Sequence, residues 1–408
     1  MKIKCLPDDF IVEEVVDLPQ ANGPFAVYRL SKHSLGTLEA IDAVAHRWNL
    51  PRQRVNYAGL KDKHAATMQF LTIHNGPRQG MQHEHFELEY LGPTIRPLSP
   101  RDIVANRFTI VLRDMTEDEL ARATEAGAEI GRSGLPNYFD DQRFGSLGES
   151  GEFIAKPWCE VNYERAIWLA LADDNVHDRP DEKEQKRLLR EHWGDWLKLK
   201  ATLERSHRRS IITYLCDKPT DFRGAIARIR QDLRGLYLAA YQSDLWNRLL
   251  DRLLRQVCGE DVVSLKIGKR DVAFFKSLTP EQRTALDRRR LPLPCARTHS
   301  LDPDTEALVN SVLAEEGLTL KQLRVKYPRD SFFSKGERPA IMRPTDWRHE
   351  AGEDEIYYRK RKLCVEFTLP RGSYATILVK RLTTVAGQDL SAGLGGEEEE
   401  TAEGEKSE

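Results

Sequence analysis

The sequence predicts an α+β protein in which the two ends of the chain form one sheet-containing domain around a mostly helical insertion. Strand patterns, alternating or apolar, recur up to about residue 115, for example over residues 25–30 and 108–112. Long, charged, helical patterns replace them between residues 134 and 326. A strand pattern returns at residues 363–369, and we expect it to join the N-terminal strands in one sheet.

Helices accompany these strands at both ends of the chain. Thr37 can act as the N-cap of a helix over residues 38–48, where apolar side chains recur at helical spacing. Thr116 can cap a second helix over residues 117–132, whose acidic first turn suits the helix macrodipole. A third helix is predicted over residues 375–384. These segments predict helices that cover the sheet.

Changes in composition set the predicted domain boundaries. Residues 1–133 and 327–390 form the sheet domain, and residues 134–326 form the inserted domain. Residues 391–408 have no means of forming a core, so we predict a disordered acidic tail there. The last twelve residues, with seven Glu and one Lys, carry a net charge of −6. Because the whole chain carries −2, the remainder carries about +4, which is compatible with an RNA partner.

The sequence argues against a membrane protein and against a secreted one. No apolar run approaches the roughly 20 residues that span a bilayer. The six cysteines form no Cys-x-x-Cys pair, which argues against a zinc ribbon and against a disulfide framework. We therefore predict a cytoplasmic protein, and nothing in the sequence requires more than a monomer.

Neither a metal site nor a cofactor site is predicted. His83-Glu84-His85 offers two alternating histidines without a third ligand nearby, which is a weak set for a metal ion. No segment matches a Walker loop, a dinucleotide-binding glycine motif or a serine nucleophile elbow. The chain is therefore expected to work without a metal or a nucleotide cofactor.

Residues 56–70 place one carboxylate, that of Asp62, among basic and titratable side chains. Gly59 permits a turn, and residues 67–74 alternate like a strand, so Asp62 is predicted on a loop between two strands. The neighbouring side chains would favour the ionised carboxylate and attract phosphates; they are Lys61, Lys63 and His64. This combination suits a carboxylate nucleophile acting on a nucleic acid, although a solvated surface turn would have the same composition.

The segment Gly59-Leu60-Lys61-Asp62-Lys63-His64-Ala65 resembles the signature of the TruD family of pseudouridine synthases, which modify uridine 13 of tRNA. Further segments resemble the family in the same order along the chain, at residues 6–14, 105–110, 134–145 and 372–376. Three positions depart from the family pattern: Ala105 and Asp140 replace glycine, and Tyr374 stands where phenylalanine is common.

The resemblance implies a fold and a reaction. The family fold is a catalytic α+β domain on a mixed, largely antiparallel sheet, with the inserted domain forming the other wall of a basic cleft. The family reaction isomerises uridine to pseudouridine in tRNA or another structured RNA, without a cofactor. The expected target is uridine 13 in the D arm.

The resemblance also assigns roles to the residues at the catalytic centre. It makes Asp62 the nucleophile, and it places Lys4 and Phe10 at positions that line the active site. Lys4 could pair with Asp62 and keep it ionised, while Phe10 offers a stacking face. Without the resemblance, an exposed lysine and a core phenylalanine would be expected.

Three further residues join Phe10 in the predicted substrate-binding set, and Arg143 joins Lys61, Lys63 and His64 as predicted support for RNA binding. Asn106 carries a donor and an acceptor that could read a uracil edge, and Phe108 and Tyr374 could stack on an extruded base. Arg143 could meet a phosphate. An ordinary strand asparagine and core aromatics are the competing interpretation.

The sequence leaves two other functions open. An RNA-binding or RNA-chaperone module could keep the fold and lack turnover, although Asp62 and Lys4 argue against it. A glycosidase or nuclease would need a partner carboxylic acid or metal ligands, which no motif supplies.

Overall fold

The computed structural model describes residues 1–63 and 65–384, and the chain divides into two compact units. The first unit comprises Met1–Asn137 and the described residues from Ile341 onward, and the second comprises Tyr138–Ala340. The boundaries expected at residues 134 and 326 stay a prediction. The predicted tail over residues 391–408 lies outside the described residues.

The elements follow one another in three blocks along the chain. The first unit begins with strands β1 (Phe10–Val16), β2 (Phe25–Lys32), β3 (Val55–Tyr57), β4 (Ala66–His74), β5 (Met81–Gln82), β6 (Phe86–Thr94), β7 (Ile103–Met115) and β8 (Leu135–Pro136) and helices α1 (Thr37–Arg47) and α2 (Glu117–Ser133). The second unit has helices α3 (Ala155–Cys159), α4 (Tyr163–Ala172), α5 (Pro180–Glu191), α6 (Trp196–Thr202), α7 (His207–Asp217), α8 (Phe222–Arg228), α9 (Gln231–Cys258), α10 (Pro280–Asp287) and α11 (Pro303–Glu315) and strands β9 (Val262–Ile267), β10 (Arg270–Phe275), β11 (Arg290–Pro292) and β12 (Glu337–Pro339). The chain then returns to the first unit with β13 (Ile341–Met342), β14 (Thr345–Glu353), β15 (Arg361–Pro370) and α12 (Ala375–Thr383).

The first unit is built on a large sheet with the strand order β14-β15-β7-β1-β4-β2-β6-β5, to which β3 adds by pairing with β4. Within the described residues, β1 and β4 pair in parallel and the other neighbours in this sheet pair antiparallel. The predicted α+β class with a mixed, largely antiparallel sheet is confirmed.

One face of this sheet carries a continuous row of aligned residues across five strands. The row consists of Lys32, Thr67, Val12, Phe108 and Phe367, each paired in register with the next. Registered partners on neighbouring strands project from the same face. The side chains of these five residues therefore lie on one face of the sheet.

Helices cover that same face. The apolar side of α1, at Ala40, Ile41 and Val44, packs on strand residues that include Leu30, two positions from Lys32. Helix α2 lies close to β14, as shown by the fact that a Cβ atom added at Gly127 would be 2.9 Å from the Trp347 ring. The Trp347 ring in turn stacks on Phe367. The inward face of the sheet is therefore the one that the helices enclose.

The helix ends agree with the prediction to within about one residue, and one cap is corrected. Helix α2 begins after Thr116, whose hydroxyl accepts the Glu119 N–H, as predicted. Helix α1 begins at Thr37 rather than after it, and its N-cap is Gly36. The reason is that the Glu39 carboxylate accepts the Gly36 N–H, while the Thr37 hydroxyl bonds elsewhere.

The second unit is mostly helical and is organised around the long helix α9. The segment at Tyr138 and Phe139 docks on it, because the Asn247 side chain accepts the Phe139 N–H at 2.9 Å and donates to its carbonyl at 2.8 Å. Tyr138 is fully buried and its hydroxyl donates to the Ala273 carbonyl. The aromatic residues at the start of this unit therefore pack its core.

A buried arginine anchors the N-terminal segment of the first unit. Arg113 forms a two-way backbone bridge with Lys2, and its guanidinium lies 2.8–2.9 Å from the carboxylate of Asp9. The same guanidinium reaches Asp354 and Glu355, before β15. Arg113 is 7% exposed and Asp9 is 1% exposed, so this pair is held away from water.

We expect Arg113→Met to lower the free energy of unfolding by about 3–5 kcal/mol, because it leaves the buried Asp9 carboxylate without its cation. The matched control on the same strand is Arg107→Met, which breaks an exposed pair with Glu13 and should cost less than about 1 kcal/mol. Urea unfolding followed by circular dichroism measures both changes. Equal losses for the two variants would contradict the anchoring role of Arg113.

Candidate active site

Asp62 lies on the loop that joins β3 to β4, two strands paired antiparallel from Val55 with Ile73 to Tyr57 with Leu71. Strand β4 lies between β1 and β2, so this loop leads into an interior strand of the sheet and not into an edge strand. The expected loop position of Asp62 between two strands is what the structure shows. His64, two residues after Asp62 in the sequence, lies outside the described residues.

Polar side chains from three elements fix the backbone of this loop. The Lys61 N–H donates to the Thr37 hydroxyl at 2.9 Å, and that hydroxyl donates to the Gln69 side-chain oxygen at 2.8 Å. The Lys32 ammonium, on β2, donates to the Asp62 carbonyl at 2.7 Å. Because Thr37, Gln69 and Lys32 are buried, these bonds are shielded from water and hold the loop in one conformation.

The Asp62 carboxylate is paired with Lys4. The Lys4 Nζ lies 2.6 Å from Asp62 Oδ2, and it also lies 4.9 Å from the centroid of the Phe10 ring. The side chains of Lys4 and Asp62 are 23% and 16% exposed, so both ions are reachable from solvent yet partly enclosed. The structure therefore brings together three of the predicted residues, and the nearby cation favours the ionised carboxylate.

Lys61 points into the protein, although it is adjacent to Asp62 in sequence. Its Nζ lies 3.1 Å from Glu14 Oε1 and donates to Asn106 Oδ1 at 2.8 Å. The Glu14 side chain is fully buried, and its other oxygen accepts the Phe70 N–H at 3.1 Å. Glu14 and Asn106 are registered partners on β1 and β7, so Lys61 bridges two neighbouring strands.

Lys63 has a different partner on the same loop. Its Nζ lies 2.9 Å from Glu39 Oε1 near the start of α1, and the Lys63 side chain is 46% exposed. The Gly36 backbone N–H and the Lys63 ammonium hold the pKa of Glu39 below its usual range. A phosphate contact by Lys63 stays a prediction, as it does for His64.

The three predicted base-binding residues lie on β7 and after β15. Asn106 is partly exposed, whereas Phe108 is buried and its ring stacks on Phe367 with centroids 5.4 Å apart. Tyr374 is partly exposed and forms the N-cap of α12. The turn before Tyr374 is tied to β7, because the Arg371 N–H donates to the Val104 carbonyl at 3.1 Å.

Arg143 belongs to the second unit, where its Nε donates to the Ser243 hydroxyl at 3.3 Å. Its ring contact is with Phe139, 5.7 Å from the guanidinium carbon. The predicted phosphate contact of Arg143 therefore stays a prediction.

Four residues that hold the site together were not assigned a role at the site from the sequence: Glu14, Lys32, Thr37 and Gln69. Two of them carried a usable signal. Glu14 follows the buried positions Phe10 and Val12 at alternate residues of β1, and Lys32 follows Tyr28 and Leu30 in the same way on β2. A charge at an inward-facing strand position requires a partner, and this marks a candidate site residue.

Over residues 1–63 and 65–384, no group of three or more His, Cys, Asp or Glu side chains is arranged to hold a metal ion. No helix in this part of the chain is both long enough and apolar enough to cross a membrane.

Comparison with known proteins identifies relatives over almost the whole chain. The sequence model of the family described as tRNA pseudouridine synthase D (TruD) matches residues 1–382. A protein of Methanocaldococcus jannaschii, named "Probable tRNA pseudouridine synthase D 2", is 31% identical over 399 residues, covering 93% of this chain and 91% of its own. A tRNA pseudouridine synthase D of Aquifex aeolicus is 29% identical over 392 residues, covering 94% of this chain and 98% of its own.

A solved structure supports the same fold. The crystal structure described as "Putative tRNA pseudouridine synthase D (TruD) from Methanosarcina mazei" matches with a TM-score of 0.74 at 24% identity. The match covers 94% of this chain and 93% of that chain. The family match over residues 1–382 and the 31% identical relative together show that this chain belongs to the TruD family of tRNA pseudouridine synthases, which are isomerases.

Proposed function

We propose that this protein isomerises uridine to pseudouridine in tRNA, at uridine 13 of the D arm, with Asp62 as the nucleophile. The observation that carries the proposal is the ion pair between Asp62 Oδ2 and Lys4 Nζ at 2.6 Å, on a loop whose backbone is fixed by buried side chains. Membership of the family supports the reaction class. The names of the relatives support tRNA as the substrate.

The reaction is an exchange of one bond to the ribose for another. The N1–C1′ bond of the target uridine breaks with assistance from the Asp62 carboxylate, and the uracil rotates while held in the pocket. A C5–C1′ bond then forms, the C5 proton leaves, and N1 takes up a proton. Attack of Asp62 on C1′ and removal of the C2′ proton to give a glycal both use this carboxylate, and neither needs an oxidant or a reductant.

Lys4 and Phe10 prepare Asp62 for this role in our proposal. The ammonium of Lys4 keeps the carboxylate ionised, and the Phe10 ring supports that ammonium from 4.9 Å. The Lys32 bond to the Asp62 carbonyl fixes the backbone, so that the carboxylate does not need to be ordered when RNA binds. The nucleophile is therefore preorganised.

The target uridine must leave its stack to reach Asp62, at a cost of a few kcal/mol. We propose that Tyr374 and Phe108 offset this cost by stacking, at about 1–3 kcal/mol per base, and that Asn106 binds the uracil edge. We assign phosphate contacts to Lys63, His64 and Arg143. We also propose that the second unit, Tyr138–Ala340, is the inserted domain of the family fold.

We expect Asp62→Asn to make no pseudouridine while binding tRNA as the wild type does, because the amide keeps the size of the carboxylate and loses its nucleophilicity. Unmodified tRNA transcripts are incubated with each protein and mapped by carbodiimide-dependent primer stops. The matched control is Asp42→Asn, which changes an exposed aspartate on α1 that pairs with Arg52. This variant should keep full activity. A transcript with cytidine at position 13 should give no stop.

Three outcomes would overturn parts of this proposal. A D-arm stop produced by Asp62→Asn would remove the nucleophile assignment. A stop that persists elsewhere in the cytidine-13 transcript would remove the position assignment. Tight tRNA binding by the wild type without any stop would leave an RNA-binding module in place of an enzyme for this substrate.

We expect Lys4→Met to lower kcat by about 10- to 100-fold, since a charge-assisted hydrogen bond to Asp62 is lost. The affinity for tRNA should stay unchanged, and Lys4→Arg should restore part of kcat. Lys2→Met is the matched control, because Lys2 is 53% exposed and pairs with Asp114 instead. Single-turnover kinetics on tRNA measure the effect, and an unchanged kcat in Lys4→Met would contradict the role of Lys4.

A further inference from the structure

We propose that Lys61 is a positioning residue which turns the side-chain amide of Asn106 so that its nitrogen, and not its oxygen, faces the target base. The inference rests on the proposed function and specifies how the base is recognised. It follows from three contacts that join Glu14, Lys61 and Asn106.

The first step concerns Glu14, which determines where Lys61 lies. The Glu14 side chain is fully buried on the inward face of β1, and Oε2 is satisfied by the Phe70 N–H. Its Oε1 faces Lys61 Nζ at 3.1 Å. Because a buried carboxylate without a cation is costly, Glu14 holds the Lys61 ammonium inside the protein.

The second step concerns the chemistry of Lys61. A lysine ammonium has three N–H donors and no acceptor, so the atom of Asn106 that it contacts at 2.8 Å must be the amide oxygen. The Asn106 Nδ2 group then points away from Lys61. Within the part of the chain that the structure describes, Nδ2 has no protein hydrogen-bond partner, and Asn106 is partly exposed.

The third step concerns what the base can accept. Uracil presents two carbonyl oxygens as acceptors and one N3–H as a donor. With its oxygen committed to Lys61, Asn106 can donate to a uracil carbonyl and cannot accept from N3–H. Asn106 therefore contacts the base as a hydrogen-bond donor, through Nδ2. Its oxygen is occupied by Lys61 and does not take part in base recognition.

Lys61 is needed for this orientation because of the neighbour on the other strand. Glu14 is the registered partner of Asn106, and its carboxylate would attract the Asn106 NH₂ group if the ammonium between them were absent. The amide would then turn over and present its oxygen in place of Nδ2, so the hydrogen bond that Nδ2 donates to a uracil carbonyl would be lost. Removing Lys61 should thus damage base recognition more than the loss of one surface charge would.

The test compares binding of two RNAs by proteins that cannot turn them over. In the Asp62→Asn background, affinity is measured for a D-arm transcript with uridine at the mapped target position and for one with an abasic site there. The ratio of the two affinities isolates contacts to the base, because phosphate contacts are common to both RNAs.

We expect Lys61→Met to lower this uridine-to-abasic ratio by about 3- to 10-fold, the value of one hydrogen bond, with no change in abasic affinity. Asn106→Ala should lower the ratio to a similar extent, and the double variant should lose no more. Lys61→Arg, which also has only donors, should keep the ratio. Lys186→Met removes another buried lysine that pairs with a carboxylate, Asp178, and should leave the ratio unchanged.

Equal loss of affinity for both RNAs in Lys61→Met would show a phosphate contact and overturn the proposal. Additive losses in the double variant would do the same. If Lys61→Met does not fold, Lys61→Gln replaces it, since glutamine offers an acceptor as well as donors and should also lower the ratio. Absence of pseudouridine in the mapping experiment would instead defeat the proposed function, whichever way the ratio behaves.

Discussion

Pairing of charges on the inward face of the sheet is the constraint on which the site depends. Helices cover this face, so a charged side chain there is stable only when it is paired or hydrogen-bonded. Glu14 pairs with Lys61, and the Asp62 carboxylate pairs with Lys4. The Lys32 ammonium donates a hydrogen bond to the Asp62 carbonyl. The loop that carries Asp62 thus receives one partner each from β1, β2 and the N-terminal segment, and these contacts also fix its conformation.

The architecture of the first unit was largely predictable from the sequence, because strand and helix periods are local properties. Helix α2 and its Thr116 cap were predicted, since a Thr followed by an acidic turn is a local signal. The cap of α1 was placed one residue late, because the Thr37 hydroxyl is used by Lys61 and Gln69, which are distant in sequence. Local patterns do not contain that information.

The contact between Lys4 and Asp62 was predictable from the sequence, whereas the directions of the neighbouring side chains were not. Resemblance to the family singled out Asp62 and Lys4, and the structure places them in contact. The inward direction of Lys61 depends on the registered pairing of Glu14 with Asn106, and no pattern in residues 56–70 encodes this register. Phe108 also illustrates the limit, because its burial against Phe367 follows from the pairing of β7 with a strand about 250 residues later.

The Arg113 cluster has a consequence for synthesis of the protein on the ribosome. Arg113 holds Asp9, and with it the segment that carries Lys4, but it also needs Asp354 and Glu355, which are more than 240 residues further along the chain. Strand β15, which pairs with β7, comes later still. A nascent chain therefore contains both Lys4 and Asp62 long before it contains Asp354, Glu355 and β15, so we expect this ion pair to gain its full support only after those residues have been synthesised.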